Sequence, residues 1–295
     1  MTTSGDHGSA EGVRIVTDSA GDLPEHVVQQ WRIITVPLTI RLDGRDHVDR
    51  IELSVPEFWR LVGASANLPE TAAPAPGDFA QAFARAADEG ASGVVVVTLS
   101  GDLSGTLSSA HVAARDASIP VEVVDSRSVS LGQGLTVMAC AEAASRGAPV
   151  TEVATLARDL AGRTRVIGAL DTLEHLRRGG RIGGARAMLA SALAIKPLID
   201  VRNGRVEEGG RQRTRSKALA WLVEQVRHSP PIERLAVIHA QCDDVDAFVA
   251  SLQALGRPDV GQHVLVGDLG AVVGTHAGPG TIGVALHLAS SPATH

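Results

Sequence analysis

The sequence predicts an α/β protein of two domains, with a parallel sheet covered by helices on both faces first and a mixed α/β sheet second. Three observations carry this. The chain has 295 residues, too long for one ordinary core and suited to two at roughly 100–200 residues each. Its first half alternates short apolar runs with helical periodicity, the mark of parallel strands buried on both faces. Its second half mixes hairpin and crossover signals. A boundary near 160 divides it into domains at 13–160 and 161–290, behind a disordered, frayed tail at 1–12.

VRIVTDS (13–19) is a buried strand ending in Asp18-Ser19, and DLPEHVVQQW reads as a turn into a helix. ITVPLTIRLDG (34–44) is a β-branched run broken by Pro37, which lacks an N–H for a ladder and marks an edge strand or bulge. SVPEFWRLV (54–62) and PGDFAQAFARAADEG (76–90) are helices. In the second, Phe79, Ala82, Phe83 and Ala86 recur at helical spacing, and Gly90 is the stop. GVVVVTLS (93–100) is a strand, LSSAHVAARDA a helix, VEVVDS (121–126) a strand, and LTVMACAEAASRG (135–147) a helix closed by Gly147.

RVIGALDTLEHLRRGGRIGG (165–184) then reads as a strand, a short helix and a glycine-arginine turn. ARAMLASALA is a helix, IKPLIDV a strand, and Asn203-Gly204 a hairpin turn. SKALAWLVEQV (216–226) is helical, LAVIHA and QHVLVGD are strands, and AVVGTHAGPGTIGVALH closes the domain.

Composition narrows the function. No stretch approaches the ~20 apolar residues of a spanning helix, and MTTSGDHGSAEG has neither the basic nor the apolar region of a signal peptide. Cys140 and Cys242 stand far apart with no CxxC, as core residues of a reducing cytoplasm do. A net charge of −6, 2% aromatics and no tyrosine oppose nucleic-acid binding by base stacking. Between 161 and 217, thirteen Lys and Arg stand against five Asp and Glu. That segment is either a basic face for an anionic ligand or acidic partner, or a solvated arginine-rich surface.

TDS, TLSGDLSGT and VDSRS all fall at carboxyl ends of strands, where open parallel sheets hold ligands. TLSGDLSGT (98–106) has no lysine for a phosphate-binding P-loop, and Gly101-Asp102-Leu103-Ser104-Gly105 misses the G-x-S-x-G hydrolase elbow by one residue. Its hydroxyls and free amides suit an anion at a helix N-terminus, or Ser104 simply caps the helix. His276, in GTHAGPGTIG (274–283), sits between a strand and a Gly-Pro-Gly turn, and no second histidine lies at zinc-ligand spacing. Arg181, set between glycine pairs in RRGGRIGG, can meet a carboxylate or phosphate in bidentate fashion. Thr71 is the single hydroxyl of the proline-rich loop LPETAAPAP.

Taken in order, VTDSAGDLP, VPLTIRLDG, ETAAPAPGDF, LSGDLSGTLSSA, VDSRSVSLGQG, TLEHLRRGGRIGG, IKPLIDVRNG and GTHAGPGTIG resemble the DegV family over about 13–288. These bacterial proteins include the fatty-acid-binding subunits of fatty acid kinase. The resemblance implies two domains with one long-chain fatty acid, such as palmitate, buried in a tunnel between them. Thr71, Ser104, Arg181 and His276 would clamp its carboxylate at the mouth. It also implies a non-catalytic, cytoplasmic lipid-binding subunit of phospholipid metabolism, with no metal and no cofactor. A separate dihydroxyacetone-kinase-like subunit would receive the carboxylate and make the acyl phosphate from ATP. Transient membrane contact and a monomeric state go with that role. One departure stands out: the family's Thr-Ser-x-Pro is here Thr71-Ala72-Ala73-Pro74, so a hydroxyl is lost.

Physical chemistry agrees with such a ligand. A carboxylate beside hydrocarbon must have its lone pairs filled, which two hydroxyls, an arginine and a histidine can do. Each buried CH₂ of the tail adds about 0.8 kcal/mol. Two other readings stay open: a serine hydrolase of acyl esters using Ser104, His276 and Asp18 or Asp125, and a binding protein for another amphiphilic carboxylate or phosphate.

Overall fold

The computed structural model describes residues 12–191, 195–260 and 264–290, so the tail expected over 1–12 lies, apart from Gly12, outside the described residues. β1 (Val13–Asp18) passes through a 3-10 turn into α1 (Glu25–Gln30) and β2 (Ile34–Val36). Pro37 then divides the β-branched run between two sheets. Ahead of it β2 is the edge of a parallel sheet; behind it β3 (Thr39–Leu42) and β4 (Arg45–Val48) form a hairpin elsewhere. α2 (Val55–Ala64) starts where the Ser54 hydroxyl accepts the Glu57 N–H, and β5 (Glu70–Ala72) adds antiparallel to β3.

α3 (Pro76–Asp88), β6 (Gly93–Thr98), α4 (Thr106–Ala114) and β7 (Val121–Asp125) complete the parallel sheet, in the order β2-β1-β6-β7. Phe79 and Phe83 of α3 and Ala110 of α4 cover one face, against Val94 and Val96. α5 (Leu131–Ser145) and α6 (Val150–Arg163) cover the other, where Val137, Cys140 and Val153 meet Val95 and Val97. The expected two-sided parallel sheet is therefore present. α6 was not anticipated, because much of its buried stripe is alanine (Ala154, Ala157 and Ala161).

The C-terminal sheet begins at β8 (Thr164–Ala169), directly after α6. α7 (Glu174–Arg178), a 3-10 segment over Gly183–Ser191, β9 (Lys196–Arg202) and β10 (Arg205–Gln212) follow. The β9–β10 hairpin turns on Asn203 and Gly204, both at positive φ, as the Asn-Gly signal predicts. α8 (Arg215–Arg227), β11 (Ile232–His239), α9 (Val245–Gln253), β12 (Leu265–Asp268), α10 (Ala271–Ala277) and β13 (Ile282–Leu288) complete the order β10-β9-β8-β13-β11-β12. Among the described residues of this sheet only β11 and β12 pair in parallel, so the sheet is mixed, as expected. The helix expected over ARAMLASALA is a 3-10 segment where described, and its end lies outside the described residues, as does the start of QHVLVGD.

α8 and α9 cover the outer face of this sheet through Leu222, Val226 and Phe248. On the inner face, Leu131 and Leu135 of α5 meet Val166, Ala236 and Ala285. α5 thus lies between the two sheets, which explains why its residues are apolar nearly all round. Arg234 to Glu142 (2.8 and 2.6 Å) and Ser100 to the Gly204 carbonyl (2.7 Å) further tie the two halves. Both cysteines are free and buried.

Candidate functional site

A cleft of about 770 Å³ opens where β5, α7 and α10 meet, and Thr71, His175, Arg178, Arg181, Thr275 and His276 line it. Two of these positions differ from the sequence expectation. Thr71 lies on strand β5 rather than in a plain loop, and His276 lies in the last turn of helix α10 rather than between a strand and a turn. Helix α10 ends at Gly278, whose φ of 81° favours glycine; a side chain there would also strike the His175 ring.

His276 Nε2 is 3.0 Å from Thr71 Oγ1. Its Nδ1 is buried with no hydrogen-bond partner, and Gly179 packs so closely on that edge that any side chain would strike the ring. A buried N–H without an acceptor costs more than an unused lone pair, so the proton belongs on Nε2. Nε2–H then donates to Thr71, and the threonine's own O–H is left for another acceptor. Burial, with Arg181 and His175 adding, holds the imidazole down at about 4, so it is neutral at ordinary pH.

Arg181 follows α7 on a turn made by Gly180, whose φ is 70°. Its Nε donates to the Leu103 carbonyl (3.1 Å) and Nη1 to the Gly179 carbonyl (2.7 Å). Two carbonyls thus fix the plane of the guanidinium. The Leu103 bond draws the strand-to-helix loop after β6 toward the cleft, and Ser104 is the next residue. The Ser104 hydroxyl lies 2.9 Å from Thr106 Oγ1 and accepts the Thr106 N–H at 3.3 Å; the helix cap itself is Gly105. The structure therefore groups Thr71, Arg181 and His276 around one cleft and places Ser104 beside them through Leu103, not in the cleft lining.

His175 was missed in the sequence. Its Nδ1 is 3.2 Å from the Thr275 carbonyl, which only accepts, so Nδ1 is the donor. This bond joins α7 to α10. Its signal was the histidine within TLEHLRRGG, two residues before the arginine pair. Leu170, Leu173, Leu176, Ile182 and Met188 belong to one buried apolar cluster with Ile199 and Ala277, and the partly buried Leu103 packs against it.

A Ser-His-Asp arrangement is not assembled. His276 bonds Thr71 and Ser104 bonds Thr106. Asp18 accepts the Ala20 and Leu99 N–H groups, and Asp125 those of Gly101 and Arg127. Burial lifts Asp18 to about 6. Arg215, within the basic segment 161–217, clasps Asp244 at 2.6 and 2.8 Å and bonds the Gly280 carbonyl. Arg213 is exposed. Among the described residues no three His, Cys, Asp or Glu side chains are grouped to hold a metal, and no helix is long and apolar enough to cross a membrane.

Residues 12–288 match the family described as "Uncharacterised protein, DegV family". The chain belongs to the DegV family. A DegV domain-containing protein of Deinococcus radiodurans is 40% identical over 281 residues, covering 93% of this chain and 98% of the relative. A DegV family protein of Thermus thermophilus, described for fatty acid binding, superposes with a TM-score of 0.87 at 34% identity, over 94% of this chain and all of that one. DegV of Bacillus subtilis, described as a fatty acid binding protein, superposes at 0.81 with 28% identity, over 95% of this chain and all of that one. The DegV fold accounts for the parallel N-terminal sheet flanked by helices and for the mixed C-terminal sheet.

Proposed function

We propose that this DegV protein binds one long-chain fatty acid, with its carboxylate at Thr71, Ser104, Arg181 and His276 and its tail in the apolar cluster behind them. The observation that carries the reading is the arrangement around Arg181. A guanidinium braced by two carbonyls stands beside a threonine whose proton is free, next to a neutral histidine and at the edge of buried aliphatic side chains. Arginine supplies the charge, Thr71 and Ser104 supply hydroxyl donors, and His276 orients Thr71 without adding charge. Fatty acid binding by the Thermus thermophilus and Bacillus subtilis relatives supports the same ligand.

In this reading the protein is a non-catalytic carrier in the cytoplasm. It acts as a monomer, meets membranes transiently and presents the carboxylate to a separate dihydroxyacetone-kinase-like subunit that forms the acyl phosphate. The exposed Arg213 belongs to the face that meets that kinase. Extraction of the purified protein tests the ligand: a fatty acid near one per chain, lost on Arg181→Gln, supports the reading. An empty protein that also takes up no added palmitate or oleate refutes it. The hydrolase reading draws no support from the separate bonding of Ser104 and His276.

A further inference from the structure

Asp22 does not line the cleft, yet three separate segments bond to its carboxylate. Oδ1 accepts the Gly270 N–H at 3.0 Å and Arg50 Nη2 at 3.3 Å, and Oδ2 accepts the Ser130 hydroxyl at 2.5 Å. Gly270 is the residue that starts α10, and Ser130 the one that starts α5. Asp22, Arg50 and Ser130 all hold positive φ, a local cost that surrounding structure must offset. A side chain at position 270 would run into Asp22 Oδ1, so the close approach needs glycine. Arg50 completes the brace by donating to the Leu23 carbonyl at 2.9 Å.

This brace joins parts that the cleft needs in register. Thr71 belongs to the small sheet of the N-terminal half, whereas His276 is carried by α10, which is built from the C-terminal half. α10 is two turns long, so a shift at its first residue is passed as a rigid displacement to its last. From Gly270 to His276 the helix rises only about 9 Å at 1.5 Å per residue. Trp59 Nε1 donates to the Leu269 carbonyl at 3.0 Å, but it holds the residue before the helix start. Asp22 holds the start itself.

We propose that Asp22 is a positioning residue for the ligand site: by fixing Gly270 against the N-terminal half it sets where His276 stands relative to Thr71. This rests on the cleft being the fatty-acid head-group site, and the test separates the two. The His276 imidazole is followed by NMR across pH in ligand-free wild type, Asp22→Ala and Asp22→Asn. Affinity for the fluorescent fatty acid cis-parinaric acid is measured on the same samples. The groups that face His276 are Arg181 and His175, with Arg41, Asp43, Glu70 and Arg178 also lining the cleft. Arg50 and Asp49 face Asp22. None is altered by these substitutions.

In wild type, His276 stays neutral down to about 4. In Asp22→Ala, a loosened α10 admits water to the ring, so titration moves toward the ordinary 6.5 and affinity drops about tenfold or more. Asp22→Asn keeps an oxygen for the Gly270 N–H and restores both. Should Asp22→Ala not fold, Gly270→Ala, which presses a methyl against Oδ1, is the second variant and carries the same expectation. An unchanged His276 titration in Asp22→Ala or Gly270→Ala overturns the inference, and so does an Asp22→Asn as impaired as Asp22→Ala. If wild type takes up no fatty acid, the function reading fails while the titration still decides the role of Asp22.

Discussion

His276 Nε2 lies 3.0 Å from Thr71 Oγ1, although 205 residues separate the two in the chain. The contact joins a helix of the C-terminal half to a strand of the N-terminal half. Because the other ring nitrogen is buried without a partner, the bond runs from imidazole to hydroxyl. Thr71 then keeps its own proton to donate into the cleft, and its direction is set by the histidine.

Thr71→Val should therefore weaken fatty acid binding about 10- to 150-fold. That is the expected loss of one hydrogen bond to a charged group, at about 1.5–3 kcal/mol. Thr71→Ser should bind nearly as wild type. Displacement of a fluorescent fatty acid checks both, and equal affinities for Val and Ser would contradict the relay.

Arg181→Lys keeps the charge but cannot reproduce the bonds of Nε to Leu103 and Nη1 to Gly179 while presenting a second nitrogen. Affinity should fall by about tenfold or more, with a thermal midpoint close to wild type. An unchanged affinity would show that the charge alone suffices.

Arg213 and Arg215 are close in sequence but predict different outcomes. Arg213→Glu should reduce transfer of phosphate to the bound fatty acid by a partner kinase, and leave binding of the acid intact. Arg215→Glu should lower stability first, because it breaks the clasp on Asp244 and the bond to Gly280. Coupled kinase assays and thermal melts separate the two.

The pH dependence of stability has terms of both signs. His287 is fully buried, and burial, aided by Arg234 and Arg163, holds it down at about 3. An unfolded chain protonates this histidine near 6.5, so its contribution is complete above that pH and is lost as pH falls. His276 acts in the same sense. Asp18 and Asp22, lifted by burial to about 6 and about 7, act oppositely: they lose stability as pH rises from the ordinary carboxylate range. His287→Gln removes one term only, so its destabilisation should shrink by about 2 kcal/mol between pH 7.5 and pH 5. Urea unfolding at the two pH values measures this, and an equal cost at both would contradict it.

The parallel sheet was legible because Val94–Val97 is too continuously apolar for a half-exposed strand and is bounded by turn signals. Pro37 signalled an edge, and the structure shows that it also separates two sheets. Helix α10 was not legible. AVVGTHA holds two valines, a glycine and a threonine, all weak helix formers, and the helix stands on tertiary contacts with Asp22, Trp59 and His175. The grouping of Thr71, Arg181 and His276 at one cleft was legible only through resemblance. No spacing rule links Thr71 to Arg181 or His276, and Ser104 enters beside them through a neighbour's carbonyl. His175 lies in a recognised motif, but its bond to Thr275 depends on how two distant helices pack.

Native mass spectrometry of the purified protein, followed by solvent extraction of what it carries, tests the central claim most directly. A mass increment equal to one long-chain fatty acid per chain, absent from Arg181→Gln, is the predicted result. A chain of bare mass that stays bare after incubation with palmitate and oleate would contradict it.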